Sequence, residues 1–393
     1  MKLTVRLLQW KDLTPGRLAA WADLESRALD PNAYLSPHFV LPAQRYLDGH
    51  ADPLVMWIEQ EGTVGHELVG VGIFDFVRGT RQFPLPHLRA FCSPHSKLSG
   101  LLVDSTVASE VIEAWIAYCA GKAFHWHGID FLYWQADGKT EQLVRSIGLQ
   151  YGATWHEYER MSHAVLYPSQ AGEPYIESQL STNRRKDMRR CMRRLGDIGP
   201  VTWTPLQGTA VDEACTDRFL DLERAGWKGD QGDALLSDSH DEQFFREMVR
   251  GFAGAGRALF AELRVGDRVI SSTSNFLSGR AAFAFKIGWH RDFAKMSPGI
   301  LNEAETIRQA PSLLGKLEFF DSGAGLNSFI DELWVDRRPL SKSLFVTSRT
   351  GHIMLGAVAL AKRLRRRLII EENAKSCIPQ HRWSLLPTRG GQE

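Results

Sequence analysis

The sequence FAKMSPGILNEAE, residues 293–305, joins an apolar run that predicts a strand to an amphipathic run that predicts a helix. Ser297 is a residue type that often caps a helix N-terminus, and Pro298 suits the first helical position because its missing N–H would be unpaired there. Gly299 is unusual, since glycine weakens a helix by about 1 kcal/mol relative to alanine. The corner is therefore either an ordinary capped helix or a place where first-turn N–H groups hold a phosphate or diphosphate.

The residues before this corner predict an antiparallel meander. Short turns containing GDR and GR separate the strand-like runs ALFAELRV (258–265), VISSTSNFLS (269–278) and AAFAFKIGW (281–289). After the corner we expect a helix over 298–309, a strand over 317–322 and a short helix over 327–334. This order of elements indicates a mixed sheet rather than a doubly wound parallel one.

The first half of the chain has a similar order of elements. Hydrophobic spacing and turn residues predict a helix over 18–29, a hairpin over 52–79, a helix over 105–119, a strand over 129–135, a helix over 140–152 and a strand over 157–166. Helices over 211–225 and 241–253 are then expected before the meander. The predicted fold class is α+β.

Length and composition predict a folded protein with a substantial core. The 393 residues are 44% hydrophobic and 24% charged, and a chain of this length leads us to expect two domains. The net charge of +1 gives no overall attraction to nucleic acid or acidic membranes. The five cysteines are scattered without a close CxxC pair, which argues against a disulfide framework and favours the cytoplasm. No window reaches ~20 apolar residues, so no transmembrane segment is expected.

The stretch TGHIMLGAVALAKRLRRRLI, residues 350–369, predicts an apolar helix with an arginine-rich end. It is too short and too basic to span a bilayer. We expect it to dock on the protein or on a partner such as a synthase subunit, with peripheral membrane association as the alternative.

Four short motifs follow one another from residue 180 onward: TNRRKDMRRCMRRL (182–195), LERAGWKGDQG (222–232), HRDFAKMSPGIL (290–301) and FFDSGAG (319–325). In that order they resemble the GNAT-fold acyltransferases of the CelD/BcsL type. That family is associated with bacterial cellulose and exopolysaccharide biosynthesis and is related to the Fem peptidyltransferases. The resemblance covers most of residues 30–340. It implies two tandem GNAT-like domains with mixed, largely antiparallel sheets.

The resemblance also implies a division of the chain. Residues 1–170 would form a degenerate GNAT-like domain that shapes the acceptor cleft, 171–340 the domain that binds acyl-CoA, and 341–393 a C-terminal helix and tail. The first half has no equivalent of the SPG corner. After FFDSGAG, relatives tend to carry a Tyr-Lys pair before an aromatic residue, whereas this chain reads LNSFIDELW (326–334).

An acyl-CoA donor is what the resemblance implies for the corner. The residues expected to bind it are Met296, Ser297, Pro298, Gly299 and Ile300. The lysine of the preceding strand, Lys286, which stands directly before Ile287, is expected to bind it as well.

Arg184 and Arg185 begin a strongly basic helix and are further candidates for binding the donor. Met188, Met192 and Leu195 recur at helical spacing in this helix, so one stripe of it is buried. The arginines are either a solvated face or contacts for the CoA 3′-phosphate, an anionic acceptor or RNA. RNA is disfavoured because no aromatic residues that could stack on bases interleave the run.

Five residues are candidates for catalysis. Trp227 and Lys228 open a glycine-rich turn, where they would offer an apolar platform and a positive charge, although Trp227 could instead fill the core. Glu223, one helical turn earlier, is a candidate general base. His290 could relay a proton or simply end its strand, and Asp321 could deprotonate the acceptor or simply cap the SGAG turn.

The resemblance implies that these residues serve an acyl-CoA-dependent N- or O-acyltransferase. Direct transfer is predicted, because no cysteine is placed to form an acyl-enzyme. The acceptor would be a small molecule or glycan of the cell envelope, and DNA is not expected as a partner. Two alternatives stay open: a Fem-like enzyme that uses aminoacyl-tRNA, and a catalytically inactive module that binds a polysaccharide synthase. No metal site is predicted, because the histidines and cysteines lack a matching second pair at site spacing.

Overall fold

The computed structural model describes residues 2–47, 52–62, 65–226 and 231–376, with side chains described only up to residue 364 in the last helix. Within these residues, thirteen strands form one mixed sheet. The strands are β1 (Leu3–Gln9), β2 (Leu54–Gly62), β3 (Gly65–Val77), β4 (His87–Ala90), β5 (Leu102–Val103), β6 (Gly128–Gln135), β7 (Thr154–Leu166), β8 (Val201–Gln207), β9 (Ala258–Val265), β10 (Arg268–Ser278), β11 (Ala281–Trp289), β12 (Phe319–Asp321) and β13 (Asp336–Val346).

Helices pack against this sheet. The α-helices in the described residues are α1 (Pro15–Ser26), α2 (Pro37–Tyr46), α3 (Ala108–Ala120), α4 (Lys139–Gln150), α5 (Glu173–Gln179), α6 (Thr182–Gly196), α7 (Glu213–Ala225), α8 (Ser239–Gly254), α9 (Pro298–Leu313) and α10 (Arg349–Ser376). The expected short helix near residue 330 is a 3-10 helix, Phe329–Glu332.

The sheet is continuous from one half of the chain to the other. Its strand order is β1-β2-β3-β4-β6-β13-β7-β12-β11-β10-β9-β8, with β5 paired to β3. Most neighbours are antiparallel, and the pairs β4–β6 and β11–β12 are parallel. Strand β7 pairs with β13 on one side and with β12 on the other, so it joins the two halves. The predicted meander is present as β9, β10 and β11.

Strand β13 crosses the expected start of the C-terminal tail at residue 341. Residues 341–346 pair with both β6 and β7, so they complete the sheet, and the helix begins later, at Arg349. Burial explains this placement, because Leu344, Phe345 and Val346 are all buried. The division into domains at 170 and 340 stays a prediction.

The largest core cluster draws on both halves. Phe39 of α2 lies edge-on to Phe244 of α8, with ring centroids 5.4 Å apart. The same cluster contains Trp21 and Phe91 from the first half and Phe219 from the second. The two halves are therefore held together by shared apolar burial in addition to the hydrogen bonds of the sheet.

Candidate functional site

A cavity of about 520 Å³ lies where β11 and β12 separate. The two strands pair only over Ala281–Phe283 and Phe319–Asp321. Strand β11 continues to Trp289, whereas the chain after β12 turns away at Gly323, whose φ is 62°. The resulting wedge is lined by β10 and β11, by the beginning of α9 and by the segment from 322 to 334.

The Ser297 corner differs from two other helix starts of similar sequence. At α1 and α2, Thr14 and Ser36 precede a proline, have extended backbones, and accept hydrogen bonds from Arg17 N–H and His38 N–H. Ser297 precedes Pro298 in the same way, but its backbone is left-handed, with φ 49° and ψ 54°, and its side chain makes no capping bond. Of the two interpretations of this corner, the ordinary capped helix does not hold for the Ser297 side chain, because a left-handed residue does not aim its hydroxyl at the first turn as an extended N-cap residue does.

The missing cap leaves backbone donors at the cavity. Leu301 N–H bonds to the Ser297 carbonyl at 3.1 Å, as the first i−4 bond of α9. The N–H groups of Gly299 and Ile300 come earlier in the helix and have no i−4 acceptor within it. Both residues line the cavity. Together with the positive end of the helix dipole, these donors suit an anion.

Gly299 also lies in the packing contact between α9 and β11. A Cβ atom there would lie 3.3 Å from Ile287 Cδ1 and 3.4 Å from Trp289 Cδ1. Both of those residues line the cavity. A methyl group would fit here after a small shift of Ile287, whereas a larger side chain would press on the cavity wall.

Glu303 is a buried carboxyl group in the same cavity, one helical turn beyond Gly299. The residue is only 7% exposed, and its carboxyl group has no hydrogen-bond or ion-pair partner among the described residues. Burial raises the pKa of this carboxyl to about 7. A group that exchanges a proton near neutral pH is suited to acid–base chemistry. Glu303 was not among the residues predicted from the sequence to act in catalysis.

Glu223 and Lys286, both predicted from the sequence, meet beside the cavity. Lys286 Nζ lies 3.4 Å from Glu223 Oε1, and the other carboxylate oxygen of Glu223 accepts a bond from Leu235 N–H at 3.0 Å. Glu223 is fully buried, whereas Lys286 lines the cavity. The geometry favours a positioning role for Glu223, because its oxygens hold Lys286 and the segment after the glycine-rich turn.

We expect Gly288→Ala to lower the free energy of unfolding by roughly 3 kcal/mol, because a Cβ here would overpack the α7–β11 contact. That Cβ would lie 2.6 Å from the backbone nitrogen of Glu223, which cannot move without the helix. Urea unfolding followed by tryptophan fluorescence measures the effect. Gly254→Ala is the matched control, since nothing lies within 4 Å of its Cβ position. Equal stability of the two variants would contradict the close contact.

The first half of the chain contributes side chains next to this cavity. Tyr34 Oη donates to the Ala284 carbonyl at 3.4 Å. The Lys97 side chain passes beside Gly323, where a Cβ would be 3.1 Å from Lys97 Cγ. Burial, and then the nearby Lys286, lower the pKa of Lys97. Residues of the first half therefore contact the cavity lining at Ala284 and Gly323.

Asp321 and His290 lie outside the set of residues that line the cavity. Asp321 Oδ2 is 2.6 Å from Arg338 Nη1, and Oδ1 is 3.0 Å from His163 Nδ1 and accepts from Gly323 N–H at 2.8 Å. The His290 ring lies 2.6 Å from Arg268 Nη2. These contacts suit Asp321 to hold the turn that borders the cavity. The His290 ring is bound to Arg268 and does not line the cavity.

The remaining predicted residues lie near the corner or outside the described residues. Met296 packs partly buried against the core around α9. Arg184 forms an ion pair of 2.6 Å with Glu332, which lies in the chain between the cavity-lining residues Ile330 and Trp334, and Arg185 bonds to Thr182 Oγ1. Trp227 and Lys228 are among the residues that the structure does not describe. No group of three or more potential metal ligands occurs in the described residues.

Comparisons with known proteins agree with this architecture. Residues 182–329 match the family model described as "Acetyltransferase (GNAT) domain". A search of curated proteins found no match to the chain. A conserved protein of unknown function from Bacteroides thetaiotaomicron VPI-5482 is similar in structure, with a TM-score of 0.54 and 10% identity over 87% of this chain and 100% of that one.

Two further solved structures extend the comparison. FemX gives a TM-score of 0.53 at 11% identity, over 84% of this chain and 95% of its own. A tandem GNAT protein from the clavulanic acid biosynthesis pathway gives 0.40 at 10% identity, over 87% and 98%. The predicted α+β, GNAT-like fold is confirmed, and the residues that match the acetyltransferase family model lie in the second half of the chain. The CelD/BcsL type stays a prediction.

Proposed function

We propose that this chain is an acyltransferase that moves an acetyl or longer acyl group from acyl-CoA to a hydroxyl or amine of a sugar, polysaccharide or other envelope precursor. The observation that carries the proposal is the uncapped first turn of α9, whose Gly299 and Ile300 N–H groups border the cavity at the β11–β12 wedge. The family match over the same residues supports it.

The residues of the wedge fit an acyl-CoA donor. The N–H groups of Gly299 and Ile300, at the positive end of α9, would hold its diphosphate. Arg184 lies on a helix that packs on the segment before the corner, and it would exchange its present partner Glu332 for the 3′-phosphate. The donor supplies the activated thioester. The wedge between β11 and the segment after β12 would keep that thioester away from water.

Glu303 is our choice for the proton acceptor. The acceptor oxygen or nitrogen bonds to the thioester carbonyl carbon, its proton passes to the Glu303 carboxylate, and the carbon–sulfur bond breaks. The proton then leaves Glu303 for the departing sulfur or for solvent, which restores the carboxylate. No cysteine is among the described residues that line the cavity, so direct transfer is proposed rather than an acyl-enzyme.

We expect Gly299→Val to weaken CoA binding about 100-fold, because it displaces two amide donors from a charged ligand. Isothermal titration calorimetry with CoA and acetyl-CoA measures this, and thermal unfolding reports whether the variant folds. Gly16→Val is the matched control: Gly16 also follows a Thr-Pro helix start, but Thr14 caps that turn and nothing lies within 4 Å of the Cβ position.

The outcomes separate the proposal from its alternatives. Equal CoA affinity in the two glycine variants would place the diphosphate elsewhere. Wild-type protein that binds no acyl-CoA but retains RNA with a steep dependence on salt would overturn the proposal in favour of an aminoacyl-tRNA donor. Binding of CoA without turnover on any of the sugar nucleotides or lipid-linked sugars screened by intact mass would point to a module without catalysis.

A further inference from the structure

Helix α10 rests on the protein by one of its faces. Leu355 packs against the buried cluster of Phe83, Leu344 and Val346. Further along, Lys362 Nζ bonds to Gln82 Oε1 at 3.2 Å, in the connection between β3 and β4. The first part of the helix is therefore docked on the sheet and on this connection, as the sequence led us to expect.

The opposite face of α10 is also apolar. Ile353, Leu360 and Leu364 are 74%, 59% and 51% exposed. Their spacing of seven and four residues places them on one stripe of the helix. A helix that docks on a globular protein normally presents polar residues to water on its other side. No described residue of this chain covers the stripe.

The charges around this stripe have one sign. In the sequence, residues 349–370 contain Arg349, Lys362, Arg363 and the run Arg365–Arg367 and no aspartate or glutamate, and Glu371 and Glu372 come after them. The β3–β4 connection that touches the helix adds the exposed Arg78 and Arg81, and Phe76 at the end of β3 is 54% exposed. We call this combination of the α10 stripe, its basic residues and the β3–β4 connection the basic apolar face.

We propose that the basic apolar face lies on the surface of an anionic lipid bilayer. Ile353, Leu360 and Leu364 would be inserted at the headgroup boundary, and the exposed Arg78, Arg81 and Arg363 would be paired with lipid phosphates. Helices with an apolar stripe and a strongly basic flank bind membranes in the interface plane. None of the described helices is long and apolar enough to cross a membrane. A run of basic residues matches anionic headgroups over a wide area, because such headgroups need no fixed arrangement of partners.

Vesicle flotation with the full chain tests this proposal. The probes are vesicles of phosphatidylcholine alone and of phosphatidylcholine with about 30% phosphatidylglycerol, each at low and at high salt. We expect binding to the anionic vesicles, loss of binding at high salt, and little binding to the neutral vesicles. The double variant Leu360→Glu/Leu364→Glu should bind at least about tenfold less, because it places two charges at the apolar boundary.

Matched variants make the result specific. Leu149→Glu changes a leucine of α4 that is 71% exposed, and it should bind anionic vesicles like the wild type. The variant Arg363→Gln/Arg365→Gln/Arg366→Gln/Arg367→Gln should lose the preference for phosphatidylglycerol. Circular dichroism shows whether each variant keeps its helix content.

Three results would overturn the bilayer as the occupant of this face. The first is failure of the wild type to bind anionic vesicles, and the second is equal binding by the Leu360→Glu/Leu364→Glu variant. The third is a dimer in sedimentation that this variant no longer forms, which would assign the stripe to a second copy of the chain. The proposal does not depend on acyl transfer, so loss of CoA binding and loss of vesicle binding can be observed separately.

Discussion

Replacing Glu303 by glutamine should lower kcat/KM for acyl transfer by about 100- to 10,000-fold, because the variant keeps the shape of the side chain but cannot accept a proton. Release of CoA thiol in the presence of an acceptor found by intact-mass screening measures the rate. CoA affinity in calorimetry should stay close to that of the wild type. If kcat/KM changes only slightly, Glu303 is not the proton acceptor of the reaction.

The pH dependence gives a second measure of the same group. Glu303 accepts a proton only as its carboxylate, so wild-type kcat/KM should rise with pH and level off above the pKa of about 7. This profile reports the free enzyme. A diphosphate bound one helical turn away would disfavour the carboxylate, so the inflection in kcat should lie at higher pH. Both inflections should be absent from the glutamine variant.

Stability provides a measure that needs no acceptor. Because burial raises the pKa of Glu303 from its ordinary value of 4.5 to about 7, the folded state holds this proton more tightly than the unfolded chain does. The free energy of unfolding therefore falls as pH rises from 4.5 to about 7, and it stays lower at higher pH. Glutamine does not ionise, so the variant should be more stable than the wild type by roughly 3 kcal/mol at pH 8 and gain little near pH 4.

Glu305 provides the control for all three measurements. It lies on the same helix, but its carboxylate pairs with Arg308 at 2.5 Å. Glu305→Gln should keep the activity, keep the pH profile and show no gain in stability at pH 8. If Glu303→Gln and Glu305→Gln behave alike, the unpartnered burial of Glu303 has no functional consequence. Opposite effects on rate and stability are what a group kept for chemistry should show.

The parts of the fold that were predictable are those with strong local signals. The meander was found because turn residues separate strands of alternating or continuous apolar character, and α9 because Ser-Pro-Gly marks its start. Strand β13 was missed because DRRPLSKSLFV contains charges and a proline, which disfavour a strand. It forms because β6 and β7 pair with it on both sides, and the sequence of residues 336–346 does not contain that information.

The candidate site was predictable at the corner and much less so around it. Thr14-Pro15-Gly16 and Ser297-Pro298-Gly299 look equivalent in the sequence, but tertiary packing holds only Ser297 in the left-handed conformation. Glu303 was overlooked because glutamate in an amphipathic helix is normally exposed. One signal was available: Glu303 lies at helical spacing between Ile300 and Ile307, which places its carboxyl on the apolar face.

Replacing Asp321 by asparagine should lower the free energy of unfolding by about 3 to 5 kcal/mol at pH 7, because it leaves the buried Arg338 without a counter-charge. Asp321 on β12, His163 on β7 and Arg338 on β13 meet in the middle of the sheet, and all three are buried. Asparagine keeps an oxygen for Gly323 N–H, so the turn beside the cavity keeps that bond. Urea unfolding measures the change.

Two measurements show whether the charge of Asp321 causes this loss of stability. They are the pH dependence of the loss and the effect of breaking a second ion pair. Burial alone would raise the pKa of Asp321, but His163 and Arg338 outweigh burial and hold the pKa well below its usual range. Such a carboxylate stabilises the fold at every pH above its unfolded pKa of about 3.9 and loses this effect as pH falls further, so the two proteins should converge only in acid. Glu318→Gln breaks the half-exposed Arg280–Glu318 pair next to β12 and should cost less than about 1 kcal/mol. If Asp321→Asn and Glu318→Gln lower the free energy of unfolding equally, the charge of Asp321 is not what holds β7, β12 and β13 together. The turn after β12, which borders the cavity, would then depend on backbone pairing alone.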